Sequence, residues 1–306
     1  MKSTRKAYGE FLVELGQKDK NVIVFDADLA SATCTNMFKE KFPDRHFDVG
    51  ISEQDLIGMS SGAALSGKTV FASTFAIFMA GRAYEQVRNT VGYSHININL
   101  CATHSGLAVG EDGPTHQSIE DIALMKEIPG MNVFVPSDEM STKKILSECL
   151  NIIGPKYVRL NRNTVDDIYQ LNDEYSFKQG KSNKFGNGKA GTVFACGNML
   201  HVALAAKKAL HDKNIDITVV DMYSIKPIDK DTIVNCAKNT EKLISIEDHS
   251  VIGGLGSSIA DVLCELYPKK LVKMGVQDKF GKSGPYLDVY EKYGLTKEKI
   301  IEQFVK

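Results

Sequence analysis

Ile96-Asn97-Ile98-Asn99-Leu100-Cys101 runs, after Ala102, into Thr103-His104-Ser105-Gly106-Leu107-Ala108-Val109-Gly110-Glu111-Asp112-Gly113-Pro114-Thr115-His116-Gln117. The first part is apolar and strand-like. The second holds two histidines, two acids and three glycines, and is too polar and too turn-rich to be core. Open α/β sheets bind ligands at the carboxyl ends of their strands. This junction therefore predicts both the fold and the place of its site.

The same alternation extends in both directions. Val22–Phe25, Asp48–Ile51, Thr69–Ala72, Asn132–Val135 and Tyr157–Leu160 read as strands, spaced to leave room for helices. Asn, Lys, Gly, Ser and Tyr dominate from about Asp166 to Ala190, as a linker able to hold a short hairpin would require. Strands over Thr192–Ala195, Ile217–Val220 and Lys242–Glu247 follow, and then a helix opened by Gly253-Gly254-Leu255-Gly256. The expectation is an α/β protein of two doubly wound, mostly parallel-sheet domains, 1–165 and 191–306, joined by a linker over 166–190.

Composition narrows the classes. The 306 residues are 43% hydrophobic and 25% charged, enough to build two cores. A net charge of −1 provides no global attraction to nucleic acid or to an anionic membrane, so neither partner is expected. An anionic ligand must then be held by local positive groups. The six cysteines are scattered without a C-x-x-C pair, and no apolar signal segment or membrane-length run occurs, so a cytoplasmic location is expected.

Four motifs carry candidate chemistry. Gly50-Ile51-Ser52-Glu53-Gln54 sets Glu53 at a strand-to-helix junction, where Ser52 can cap the helix and an acid suits the helix dipole. Taken alone, that is a capping device. Ser73-Thr74-Phe75-Ala76-Ile77-Phe78 spaces two aromatics three apart, by default a core pair. His104, Asp112 and His116 lack the tight spacing of a metal site, and such a loop can also simply brace itself. The glycine cluster at 253–256 can cradle an anion or serve close helix packing.

Read together, these segments resemble transketolases along nearly the whole chain: a pyrimidine-binding domain followed by the family's carboxyl-terminal domain. The resemblance implies thiamine diphosphate as cofactor. Glu53 would meet the N1′ nitrogen of its aminopyrimidine, with Phe75 and Phe78 stacked on that ring. Asp112 would read a hydroxyl of a ketose, and His116 would sit near the donor's C1 hydroxyl and carbonyl oxygen. His104, with Arg5 and Arg159, would hold the phosphate end of a sugar phosphate. Two positions depart from the pattern. Gly81-Arg82 replaces a family tyrosine, and Ala32 stands where a phosphate-binding serine is usual.

The family's diphosphate motif, Gly-Asp-Gly with a later asparagine, does not occur; Glu111-Asp112-Gly113 approaches it in the wrong context. The resemblance thus implies a split enzyme, a transferase of two-carbon ketol units. A separate amino-terminal transketolase subunit would supply the diphosphate and Mg2+ site in an α2β2 assembly, with the second domain of this chain serving dimer support. Deoxyxylulose phosphate synthase shares the Glu, Asp-Gly and Thr-His-Gln elements, but His104 and Gly110–Pro114 favour transketolase. The beta subunit of a 2-oxoacid dehydrogenase lacks this loop. A non-catalytic homologue that binds a partner is the alternative from outside enzymes.

Overall fold

A computed structural model describes residues 1–170 and 174–305. Their strands form two sheets. The first, of seven strands, comprises β1 (Val22–Asp26), β2 (His46–Asp48), β3 (Thr69–Phe75), β4 (Asn99–Thr103), β5 (Asn132–Phe134) and β6 (Lys156–Arg159), completed by a strand from the second half. The second, of five, contains β7 (Asn183–Phe185), β8 (Gly191–Ala195), β9 (Thr218–Asp221), β11 (Lys242–Ser250) and β12 (Leu271–Val276). Between β9 and β11 in sequence, β10 (Ser224–Lys226) leaves its neighbours and pairs antiparallel with β5.

The orders are β10-β5-β6-β4-β3-β1-β2 and β12-β11-β8-β9-β7, parallel except where β10 and β7 join. This is the expected doubly wound α/β architecture. Every residue of β4, β6, β8 and β9 is buried, as strands covered by helices on both faces must be.

Several details differ from the sequence reading. β4 begins three residues later than the apolar run, because pairing of Phe71 with Asn99 and of Phe75 with Thr103 sets its register. Part of the segment read as linker is structured: β7 pairs with β9 rather than folding into a hairpin of its own. Residues 171–173 of that segment lie outside the described residues. Ser52 stands at the start of the helix Glu53–Leu65, yet its hydroxyl bonds Asp55 rather than a helix N–H.

β3 and β4 end side by side near the centre of the first sheet, and β6 ends beside β4. Their carboxyl ends deliver Phe75, His104 and the segment Leu160–Asn163 to one region. Among the described residues, no helix is long and apolar enough to cross a membrane.

Candidate active site

Glu53 opens its helix with its side chain only 2% exposed. A buried carboxylate needs a partner, and it has one. Arg82 Nη1 donates to both carboxylate oxygens at 3.0 Å. The same guanidinium lies over the Phe78 ring, 4.5 Å from its centroid, and is half exposed on its outer side. Arg82 ends a π-helical turn over Phe78–Arg82, a widened turn of the kind that recurs at functional sites. Gly81-Arg82, seen in sequence as a missing aromatic, is thus a cation placed between Glu53 and Phe78.

The aromatic wall continues from there. Phe75 and Phe78 stack at 5.7 Å and 12°. Phe75 stacks on His104 at 3.9 Å, and His116 meets both phenylalanines edge-on, at 6.4 and 5.6 Å. Glu53, Arg82, Phe78, Phe75, His104 and His116 therefore form one continuous lining.

His104 follows β4 with φ +55°, a backbone that turns its ring back towards the sheet end. Its Nδ1 lies 2.9 Å from Thr103 Oγ1, and its Nε2 is 3.5 Å from Arg5 Nη1. A neutral ring protonated at Nδ1 satisfies both contacts. Burial, then the charges of Arg5, Arg162 and His116, push its pKa down to about 3. It stays neutral throughout the physiological range.

Arg5 donates to the carbonyl of Ala32 at 2.6 Å, and its Nε is buried without a partner. Ala32, the departure in the loop after β1, thus meets this site through its backbone. Arg162 reaches in from the end of β6, donating to Val109 O at 2.9 Å and to Asp112 Oδ2 at 3.1 Å. Asp112 itself is exposed beside it.

The assignment of Arg159 to a phosphate requires correction. Its side chain is 3% exposed; its Nε donates to Asp121 Oδ2 (2.7 Å) and its Nη2 to Ser118 O (3.2 Å) and Asp248 O (3.0 Å). Tyr157 donates to the same Asp121 oxygen at 2.7 Å. This is a buried structural ion pair, with Asp121 as the partner that keeps the guanidinium charged. The arginine open to the site is Arg162, three residues on. Sequence reasoning missed it, although the spacing of two arginines across a strand end was there to be weighed.

The loop from Gly106 to Gly113 consists of short 3-10 turns broken at Gly110. Gly106, Gly110 and Gly113 all have φ of +70° to +77°, the left-handed region that glycine enters without strain. The second half of the chain also builds this site, beyond the assembly role expected of it. Gln117 Nε2 donates to Lys282 O at 2.9 Å, and Ser283 Oγ to Glu111 O at 2.6 Å.

The glycine cluster proves to be filled from within. The N–H groups of Leu255 and Gly256 donate to the Glu247 carboxylate at 2.6 and 2.9 Å. Burial pushes the Glu247 pKa up to about 7 despite those bonds. A Cβ at Gly254 would lie 1.9 Å from Glu247 Oε2, so close packing explains that glycine.

Two family models and several known proteins match this chain. Residues 1–167 match the family described as transketolase, pyrimidine binding domain, and residues 180–300 match transketolase, C-terminal domain. A protein of Methanocaldococcus jannaschii, provisionally named a transketolase C-terminal section, is 42% identical over 100% of this chain and 96% of its own length. One of the subunits of an apulose-4-phosphate transketolase from Phocaeicola vulgatus is 35% identical, over 100% of this chain and 98% of that protein. A solved structure described as a split gene transketolase, inactive beta4 tetramer, is 45% identical and superposes with a TM-score of 0.91 over 99% of this chain and 97% of that one.

Proposed function

Because this chain belongs to the transketolase family, as its pyrimidine-binding and C-terminal domains, we propose that it is the C-terminal subunit of a two-chain, thiamine diphosphate-dependent transketolase. It moves a two-carbon ketol unit from a ketose with an anionic tail to an aldose. One observation carries this reading. The Arg82 guanidinium is a planar N–H donor lying on the Phe78 face and bonded to the buried Glu53. Those are the two contacts an aminopyrimidine ring makes, so the residues fit that end of the cofactor.

The metal end is another matter: the sequence has no Gly-Asp-Gly motif, and among the described residues no three His, Cys, Asp or Glu side chains converge on a cation site. We assign the diphosphate and Mg2+ site to an amino-terminal partner chain. That a related chain's beta4 tetramer is described as inactive agrees with such a need.

When bound, thiamine diphosphate supplies the electron sink for carbon–carbon cleavage. The residues of this chain do the rest. With Arg82 displaced from it by the ring, Glu53 would hold the proton at the ring nitrogen, a charge-assisted bond strengthened by burial. Phe75 and Phe78 keep that pocket dry. His116, neighbour to both rings and open on one side, orients and exchanges protons at the donor's C1 hydroxyl and carbonyl oxygen. Asp112 accepts from a sugar hydroxyl. Arg5, Arg162 and the neutral His104 seat the anionic tail, Arg5 offering its unpartnered Nε–H.

The test is ketol transfer from xylulose 5-phosphate to ribose 5-phosphate with thiamine diphosphate and Mg2+, by this chain alone and with an amino-terminal transketolase chain. Activity only in the mixture is expected. Glu53→Gln should then lower turnover roughly 100- to 10,000-fold, the usual contribution of a positioned acid or base. Full turnover in that variant would refute the mechanism.

A further inference from the structure

The loop that carries Asp112 and His116 is held at its start by a residue of the other domain. Asp248, on β11, is 4% exposed. Its Oδ1 accepts from Leu107 N at 2.8 Å and its Oδ2 from Ala108 N at 3.3 Å. Its Oδ2 also accepts from Tyr290 O–H at 2.8 Å. The approach is close enough that a Cβ at Gly106 would lie 2.3 Å from Oδ2.

These bonds belong to a closed ring. Ser105 Oγ donates to Asn161 Oδ1 at 3.1 Å, Asn161 Nδ2 to Asn198 Oδ1 at 2.8 Å, and Asn198 Nδ2 to Tyr290 Oη at 3.4 Å. Tyr290 leads to Asp248, and Asp248 returns to the loop on the far side of Gly106. Both flanks of that glycine are thereby fixed by buried side chains drawn from both domains. Asp248 is the charged acceptor in the ring, and the backbone carbonyl of Asp248 is in turn held by Arg159.

We propose that Asp248 is a positioning residue for the ketose-binding loop: its carboxylate sets the backbone of Leu107 and Ala108, and with it the placement of Asp112 and His116. The proposal rests on the function proposed above for that loop. Hydrogen bonds to a buried charge are among the stronger ones in a protein. A misplacement of about 1 Å in a site can cost about 100-fold in rate.

Asp248→Asn keeps the side-chain volume but replaces one acceptor with a donor that faces an N–H. Tyr290→Phe leaves the carboxylate and its bonds to Leu107 and Ala108, and removes the O–H that links Asp248 to Asn198. Amide hydrogen exchange is followed by mass spectrometry in the isolated chain, and donor kinetics and thiamine diphosphate titration in the two-chain complex. For Asp248→Asn we expect exchange over residues 106–113 to quicken roughly tenfold or more, as loss of a charged hydrogen bond implies, with β3 and β8 unchanged. Donor kcat/KM should fall roughly 10- to 100-fold, with kcat lowered as well as KM raised because the loop carries both His116 and Asp112, with cofactor affinity retained and the Tm lowered by a few degrees. Tyr290→Phe should move the same quantities less. Unchanged loop exchange, acceleration spread equally through the core strands, or unaltered donor kcat/KM would each overturn the proposal. If the wild-type complex transfers no ketol unit, the functional reading fails, and the exchange data still decide whether Asp248 holds the loop.

Discussion

Arg159 and Arg162 stand three residues apart at one strand end and have opposite fates. Arg159 is inside β6, where its side chain meets Asp121 and the backbone of the second domain. Arg162 is past the strand and reaches Asp112 and Val109. Removing one partner of a buried ion pair leaves the other charged and unpaired, at a cost of about 3–5 kcal/mol. Arg159→Met should therefore lower the Tm by many degrees in a thermal melt. Arg162→Ala should leave the Tm nearly unchanged and raise the KM for a phosphorylated donor more than for an uncharged ketose, which loses only the Arg162 brace on Asp112. The converse pattern would return the anion seat to Arg159. Sequence alone offered two arginines and no measure of burial, so it could not separate them. Arg82 was equally visible as a departure, but only the π-helical turn shows that it faces Glu53.

At the scale of elements, the glycine-rich loop was legible as a loop, but the expectation that it stays out of the core fails at its first half, where Leu107 and Ala108 are buried in the core. What held it was not legible. Gly106 combines φ +70° with the Asp248 carboxylate at 2.3 Å from a would-be Cβ, so it has both a backbone and a packing reason to be glycine. Gly58, by contrast, sits in the helix Glu53–Leu65 with open space at its Cβ position. Gly106→Ala should thus destabilise the chain by about 1–3 kcal/mol, the usual strain of such a conformation, with the Asp248 clash added to it. Gly58→Ala should gain up to about 1 kcal/mol from helix propensity. Urea melts of the two variants check both signs. β7, β10 and β12 escaped the sequence reading because they are short or carry lysine and glycine on edge positions, where periodicity is weak.

At the scale of the whole molecule, the two domains interlock. β10 comes from the second half, yet closes the edge of the first sheet beyond β5, with Val135 N also bonding Tyr223 O at 2.8 Å. An uncovered edge strand is a template for pairing with other chains. A fragment of residues 1–165 should therefore self-associate in size-exclusion chromatography with light scattering, and its loop over 106–113 should exchange faster than in the full chain. A well-behaved fragment with a protected loop would show that the domain boundary is also an energetic one.

Alternating apolar runs and turn residues were enough to determine two doubly wound sheets and the loop at the end of β4, while the candidate site residues came from resemblance to transketolases. The strands and the loop are local properties: burial on both faces demands continuous apolar strands, and positive φ favours glycine. Only the tertiary structure decided which arginine is buried, what fills the glycine turn before Leu255, what Arg82 opposes, and that Asp248 reaches the loop across 140 residues of chain. Each of these depends on distance in space between groups far apart in sequence, and residue type alone carries no information about that distance.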